Sequence, residues 1–168
     1  MQKAILAIAD KMILAAKTAP KARGLDFIEA IVIFDKNINK LSEEMRKIGQ
    51  RETHQTFLRD GANILKAEAI VLIGTKKKTI GLKYCGFCGF KDCQAAEKAG
   101  AVCALNSGDL GIAIGSAVSI AMDNRVDNRV MYSAGKAAIE AGLLGKEVVI
   151  AYGIPLSATA KNPFFDRS

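Results

Sequence analysis

The segment Ala15-Ala16-Lys17-Thr18-Ala19-Pro20 marks the point at which a first helix gives way to a strand. Upstream of it, residues 2–17 carry apolar side chains at the three- and four-residue spacing of an amphipathic helix: Ile5, Ile8, Met12, Ile13 and Ala16. Pro20 and Gly24 end that helix, and the apolar run from Phe27 to Phe34 is typical of a strand. The sequence therefore predicts a helix–loop–strand opening.

Further elements alternate along the rest of the chain. Residues 37–50 and 53–67 favour helices, and the uninterrupted apolar run 69–73 favours a strand buried on both faces. Helices are also predicted at 92–99, from Ser107 or Asn106 to about Asn124, and at 132–143, with a last strand at 147–154 that Pro155 ends. Half of the 168 residues are apolar and no repeat or linker divides them, so we expect one domain spanning 1–168.

All four cysteines lie close together, in Cys85-Gly-Phe-Cys88-Gly-Phe-Lys-Asp-Cys93 and at Cys103. Thiolates are the soft ligands that iron–sulfur clusters and structural zinc require, and about four of them must converge on one point. Gly86 and Gly89 suit a loop that wraps a metal, because glycine takes positive φ at little cost. The sequence therefore predicts a metal-binding segment over residues 85–103.

Three interpretations of these cysteines compete. Disulfides are disfavoured, because we expect no secretory signal and a chain of this length does not need them. Zinc stays open, although zinc ribbons pair two C-x-x-C knuckles and only Cys85 and Cys88 form one here. The wider gaps to Cys93 and Cys103 favour an iron–sulfur cluster, and inert or redox-only thiols are the third alternative. The spacing of bacterial ferredoxins, C-x2-C-x2-C-x3-C-P, is absent.

The stretch CGFCGFKDCQAAEKAG, residues 85–100, resembles the C-G-x-C-G-x-x-x-C-x-x-x-A module of cluster subunits in Rnf-type electron-transport complexes and in the corrinoid iron–sulfur protein. The resemblance implies a [4Fe–4S] cluster held by Cys85, Cys88 and Cys93. In that module the fourth cysteine lies farther downstream than Cys103 does here. We expect Cys103 as the fourth ligand, with water or a non-cysteine ligand as the alternative.

The order of elements is similar to that of the nitroreductase family, in which an alanine–alanine and alanine–proline segment like residues 15–20 precedes the first strand. The long helix near Asp109 and the final Gly153-Ile-Pro155 follow the same order. The resemblance implies an α+β, three-layer fold with a central mixed sheet flanked by helices, a homodimer, and FMN at the subunit interface. The arginine-rich segment that holds the flavin phosphate is absent before the first helix, so Lys17, Lys21 and Arg23 are the candidate replacements.

Taken whole, the chain most resembles an uncharacterised prokaryotic family described as containing a ferredoxin domain. The residues that carry this resemblance are the loop Thr18–Gly24, the CGFCGF stretch and the tail from Gly153 to Asp166. The resemblance supports a cluster and implies no substrate.

The net charge of +7 does not by itself indicate nucleic-acid binding. Lys76-Lys77-Lys78 is the only basic run, and no aromatic residues alternate with it, so plain surface charge or attraction of an anionic partner is favoured. The longest uncharged stretch, Leu110 to Met122, is too short to span a bilayer and predicts a buried helix. We therefore expect no membrane contact and a cytoplasmic protein.

Side-chain catalysis is disfavoured. His54 is the only histidine, predicted to lie in a helix beside Arg51 and Glu52, and such a residue is more often structural than a base. No serine elbow, Walker loop or H-E-x-x-H motif is present. Two hypotheses remain: a [4Fe–4S] redox protein that exchanges electrons with a flavin, a partner protein or a small-molecule acceptor, and a zinc- or cluster-stabilised binding module without redox chemistry.

Overall fold

The computed structural model describes residues 1–165 as six helices and four strands. The helices are α1 (Gln2–Thr18), α2 (Lys36–Arg51), α3 (Gln55–Ile64), α4 (Cys93–Lys98), α5 (Ala104–Asp123) and α6 (Tyr132–Glu140), the strands are β1 (Ile28–Ile33), β2 (Ala69–Lys76), β3 (Asp127–Asn128) and β4 (Val148–Ser157), and short 3-10 turns lie at Ala22–Gly24 and Pro163–Phe165. The predicted helix–loop–strand opening is confirmed.

The four strands form one sheet in the order β1-β2-β4-β3, and every pairing is antiparallel. Ile28 lies opposite Thr75 across β1 and β2, and Ala69 lies opposite Leu156 across β2 and β4. The expectation of a mixed sheet is therefore wrong. Neighbouring parallel strands are usually joined by a crossover that contains one helix. Here two successive helices, α2 and α3, join β1 to β2, so the chain reverses direction once more and β2 runs antiparallel to β1.

Helices cover both faces of the sheet, which confirms the α+β, three-layer fold. Side chains on β2 alternate between the two layers: Val71 and Ile73 pack with α1 and α5, and Ile70 and Leu72 pack with α2, α3 and α6. All five residues from 69 to 73 are buried, as the continuous apolar run predicts. The central strand thus anchors two separate apolar clusters.

Several predicted boundaries are wrong: α5 and α3 begin elsewhere than predicted, and α3 and α6 end at Ile64 and Glu140, before the predicted 67 and 143. Helix α5 begins at Ala104, with Cys103 as its N-cap, because the side chains of Asn106 and Asp109 bond to other segments instead of capping the helix. Helix α3 begins later than predicted because Thr53 takes a φ of 51°, which breaks the helix between α2 and α3. Thr53 is β-branched, so this conformation is strained.

Strand β4 continues through Pro155 to Ser157. Met131 and Gly153 exchange two backbone hydrogen bonds of 2.8 and 3.0 Å, and β3 pairs with β4 again only at Leu156 and Ser157. The ladder is interrupted between these points, which accommodates a proline that has no N–H to donate.

Helix α5 is the one helix in the described chain that is long and apolar enough to cross a membrane, judged by length and composition alone. Its residues Leu110, Ala113 and Ala117 are buried in the cluster that joins α1 to the sheet. One face of α5 therefore packs into the apolar core.

Candidate metal centre

The cysteine segment connects β2 to α5 and includes the short helix α4. Cys93 is the first residue of α4, and the preceding Asp92 caps that helix by accepting a hydrogen bond from the Ala95 N–H at 2.8 Å. Cys103 is the N-cap of α5, at the end of the helix whose dipole favours negative charge. The segment is thus fixed at its downstream end by two helices.

Glycines give the upstream part of the segment its turns. Gly86 and Gly89 have φ values of 75° and 84°, which confirms the prediction of positive φ at both positions. The Gly89 N–H donates to the Gly86 carbonyl at 2.9 Å, closing a turn between Cys85 and Cys88. An L-residue at either glycine would be strained.

All four cysteines line a single cavity, together with Leu82, Phe87 and Phe90. The four thiols are free, and Cys103 is buried while the other three are half-buried. The free space is about 20 Å³, room for roughly one water molecule. Within residues 1–165, no three His, Cys, Asp or Glu side chains lie close enough together to hold a single metal ion.

The donor set of this cavity fits an iron–sulfur cluster by its chemistry. Four thiols around one cavity are the ligands that such clusters take, and the apolar side chains among them limit access of water. A cluster is larger than the free space of about 20 Å³, so the four thiols do not enclose one in this conformation. A Cβ built on Gly89 meets no protein atom within 4 Å, so this part of the turn faces open space.

Asn106 joins β2 to α5 directly behind the cavity. Its amide oxygen accepts from the Thr75 hydroxyl at 2.7 Å, and its amide nitrogen donates to the carbonyls of Lys76 and Lys78 at 2.8 and 3.1 Å. The side chain is 1% exposed, so these bonds are shielded from water. They fix the position at which the chain leaves β2 relative to the helix that Cys103 caps.

A second set of bonds ties the loop after α1 to the cavity. Both carboxylate oxygens of Asp109 accept from the Ala22 N–H, at 3.0 and 3.1 Å. The neighbouring Arg23 donates to the carbonyls of Ile80 and Gly81 at 3.1 and 3.2 Å. Because Ile80 lines the cavity, this loop holds the upstream end of the cysteine segment.

The cations predicted to hold a flavin phosphate bond to this chain's own groups. Lys21 donates to the carbonyls of Ala16, Lys17 and Ala19 at 2.7 to 2.9 Å, and Lys17 donates to the Ile28 carbonyl and pairs with Asp26. Burial raises the pKa of Asp26, but the hydrogen bonds from Lys17 and the Ile28 N–H together lower it by more, so the pKa lies below its usual value. Lys17, Lys21 and Arg23 are thus engaged by carbonyl and carboxylate oxygens of this chain.

Lysines and exposed aromatic rings surround the cysteine segment. Tyr84 is 97% exposed and Phe87 is 76% exposed. Lys83 and Lys91 line the cavity, and Lys91 makes only a 4.0 Å contact with Asp92. The cavity therefore opens on a surface that is both apolar and positively charged.

The basic run at the end of β2 is mostly paired. Lys76 lies 3.2 Å from Glu29, and Glu147 pairs with both Lys76 and Lys78. The pKa of Glu147 is lowered, first by the hydrogen bond and positive charge of Lys78 and then by those of Lys76. These pairs favour the interpretation of the run as surface charge.

Comparison with known proteins identifies the family. A family model described as "uncharacterized protein containing a ferredoxin domain (DUF2148)" matches residues 99–167, which include Cys103. A relative from Archaeoglobus fulgidus, described as an uncharacterized protein, is 39% identical over 166 residues, covering 92% of this chain and 86% of the relative. The chain belongs to this ferredoxin-domain family. Membership confirms the family predicted from the sequence and supports a redox role in general terms.

Solved structures confirm the nitroreductase-like fold. An FMN-dependent nitroreductase from Clostridium difficile R20291 superposes with a TM-score of 0.59 at 17% identity, over 92% of this chain and 76% of that one. A BluB-like flavoprotein from Clostridium difficile 630 gives 0.58 at 18% identity, over 92% and 84%. NfrA2 from B. megaterium superposes with a TM-score of 0.60 at 16% identity, and the match spans 93% of this chain but only 58% of that one. At these identities the likeness concerns the fold alone.

Several residues around the candidate site were not predicted from the sequence. The roles of Asn106 and Asp109 depend on partners 31 and 87 residues away. His54 lies before α3, outside the cysteine cavity, and contacts Tyr132, 78 residues later. No local pattern could reveal such pairs, although polar residues inside an otherwise apolar helix, as Asn106 and Asp109 are, indicate that a buried partner is needed.

Proposed function

We propose that this protein is a redox protein that binds a [4Fe–4S] cluster through Cys85, Cys88, Cys93 and Cys103. The observation that carries the proposal is that all four free thiols of the chain line one cavity. Such a cluster supplies reversible single-electron transfer when bound. The ferredoxin-domain family and the fold shared with flavin oxidoreductases support the redox role. A cytoplasmic location belongs to the same proposal, since thiols stay reduced there.

The chain's own residues have separate tasks in this proposal. Asn106 and Arg23 hold the two ends of the segment in place, and the half-buried Leu82 and Phe90 give the cavity apolar walls. Lys83 and Lys91 provide positive charge beside the cavity, which would attract the negative charge of a thiolate-bound cluster.

Cysteine substitution tests the ligand set. Cys85→Ser, Cys88→Ser and Cys93→Ser are each expected to abolish iron incorporation in anaerobically reconstituted protein. Cys103→Ser is expected to do the same if the fourth ligand is a thiolate, whereas a water-ligated iron would leave the cluster in place. Thr79→Ser, which lines the same cavity without a thiol, is the control and should keep full iron. Full iron in any of the first three variants would contradict that ligand assignment.

FMN is a second cofactor worth testing, because neighbours in fold are described as FMN-dependent or as flavoproteins. Since Lys17, Lys21 and Arg23 are engaged within the chain, we assign no step to a flavin. Equilibrium dialysis against FMN, followed by fluorescence of the flavin released on heating, decides the point. Absence of bound FMN after reconstitution would exclude the flavin part and leave the cluster proposal intact.

We also propose that the electron partner is an acidic redox protein that docks on Tyr84, Phe87 and the neighbouring lysines. Exposed rings supply apolar contact area, and lysines steer an acidic surface. Electron transfer to such a protein should slow as salt rises, and further in the double variant Lys83→Gln/Lys91→Gln. Lys40→Gln on the exposed part of α2 is the control. Equal rates in all three proteins would favour a small-molecule acceptor instead.

Homodimerisation through α5 is the last part of the proposal. Gly111 and Gly115 lie in the interior of α5, and a Cβ added to either meets no protein atom within 4 Å, so the protomer has no packing reason for glycine there. Glycine inside a helix costs about 0.5–1 kcal/mol relative to alanine. Together with the exposed Ile112, these positions suit close approach of a second α5. Gly111→Gln should dissociate a dimer in sedimentation velocity, whereas Ala7→Gln on the exposed part of α1 should not.

A further inference from the structure

A second cavity, separate from the cysteines, lies between α2, α3, α6 and β4. Its volume is about 600 Å³, within the range of small-molecule sites, and it shares no lining residue with the cysteine cavity. Ile48, Phe57, Ile139 and Val149 give it apolar walls. It is therefore large enough for a ring-sized organic molecule and mostly apolar.

Three aromatic rings form one wall of this cavity. The ring centroids of His54 and Phe57 are 5.3 Å apart and those of Phe57 and Tyr132 are 5.6 Å apart, both in edge-to-face geometry. The Tyr132 hydroxyl lies 3.2 Å from Nε2 of His54 in a hydrogen bond. Both side chains remain accessible, with Tyr132 47% exposed. The wall thus combines a flat apolar surface with a hydrogen-bonded pair: when Nε2–H of His54 donates to the Tyr132 oxygen, the Tyr132 hydroxyl can donate to a ligand.

The backbone holds both polar groups in place. The His54 N–H donates to the Gly49 carbonyl at 2.8 Å, which closes the turn that contains the strained Thr53. Tyr132 follows Met131, whose backbone is bonded twice to Gly153 of β4. The pair is therefore pre-organised, which lowers the entropy lost when a ligand binds.

Charges at the rim of this cavity cancel. Arg51 pairs with Glu52 at 2.7 Å and with Glu140 at 3.1 Å, and Lys136 pairs with Glu140 at 3.2 Å. Two cations thus face two anions, so the rim offers no net attraction to a charged ligand. An uncharged ligand is the class that matches.

We propose that this cavity binds an uncharged, planar molecule of the quinone class, with its ring against Tyr132 and the apolar walls and a carbonyl oxygen accepting a hydrogen bond from the Tyr132 hydroxyl, which His54 orients. This site is independent of the cluster proposal, because it uses none of the cysteine-cavity residues. A ring alone would satisfy the apolar wall, but only a ligand with an acceptor uses the histidine–tyrosine pair.

The test compares matched probes on the full chain. Duroquinone has no open ring position for thiols to attack, durene is the same ring without carbonyls, and tetramethylbenzoate carries a negative charge. Equilibrium dialysis under anaerobic conditions measures the dissociation constant of each. We expect duroquinone to bind more tightly than either of the other two probes.

Two variants probe the polar pair without removing the aromatic wall. Tyr132→Phe should weaken duroquinone binding by roughly three- to tenfold, the loss of about one hydrogen bond. His54→Phe should also weaken it, because the Tyr132 hydroxyl loses the partner that orients it, and both variants should leave durene binding unchanged. Tyr84→Phe, at the exposed tyrosine of the cysteine segment, is the matched control and should leave all three constants unchanged. Equal duroquinone affinity in Tyr132→Phe and the wild type, tighter binding of tetramethylbenzoate, or no binding of duroquinone would each overturn the proposal.

Discussion

Replacement of Asn106 tests whether the bonds behind the cysteine cavity hold β2 and α5 together. Asn106→Ala removes three hydrogen bonds, to Thr75 and to the carbonyls of Lys76 and Lys78. Each bond contributes about 1 kcal/mol net, and buried groups left without a partner cost more. We therefore expect the variant to lose about 3 kcal/mol of unfolding free energy.

Asn124→Ala is the matched control for this experiment. Asn124 follows the same helix, and its one side-chain bond, to the Ile120 carbonyl at 2.7 Å, is exposed to solvent. Its removal should cost well under about 1 kcal/mol. Both losses are measured by urea denaturation of apo protein under reducing conditions, with circular dichroism as the signal. An Asn106→Ala loss no larger than that of Asn124→Ala would refute the role assigned to this side chain.

Three further predictions concern other parts of the fold. Gly135→Ala should cost about 3 kcal/mol or more of unfolding free energy in a denaturant titration, because the new Cβ would lie 1.9 Å from the Ala151 carbonyl oxygen. Gly108→Ala is the control and should not destabilise, because its Cβ meets no atom within 4 Å; equal stability of the two variants would contradict the packing of α6 on β4. Arg129→Met should cost about 3 kcal/mol of unfolding free energy, because the buried Asp60 accepts hydrogen bonds from Arg129, Arg59 and Ser133. A loss below about 1 kcal/mol would show that Arg59 alone balances the charge of Asp60. Glu140→Gln should flatten the acid limb of the plot of stability against pH. Burial raises the pKa of Glu140, but Arg51 and Lys136 lower it by more, so the stability that Glu140 contributes is present above the unfolded pKa and is lost as pH falls through the folded pKa. An unchanged profile would contradict that pairing.

Local patterns predicted the elements that have strong apolar periodicity. The spacing of Ile5, Met12 and Ala16 indicated α1, and the uninterrupted run 69–73 indicated a doubly buried strand; both are confirmed. These predictions succeed because burial of one helix stripe, or of both strand faces, is determined by residues close in sequence.

Features that depend on distant partners could not be predicted. The start of α5 was misplaced because Asn106 resembles a helix cap in the sequence, whereas its actual partners lie on β2 and directly after it. The continuation of β4 through Pro155 depends on a gap in the ladder with β3. The sheet direction depends on how the pair α2 and α3 returns the chain, and single-segment patterns contain no information on that.

The convergence of the four cysteines on one cavity was predicted from the sequence, whereas the contacts around it were not. Four cysteines in one short segment are brought to one cavity because the turns at Gly86 and Gly89 and the starts of α4 and α5 are encoded locally. The hydrogen bonds from Lys17, Lys21 and Arg23 to nearby carbonyls were not predicted. In a sequence, a cation that faces solvent cannot be distinguished from one that donates to a backbone carbonyl.

Iron and acid-labile sulfide content of anaerobically purified wild-type protein tests the central claim most directly. We expect a brown protein with about four iron and four sulfide per chain and a visible absorbance that bleaches on reduction. A colourless protein that contains one zinc per chain and no sulfide would contradict it.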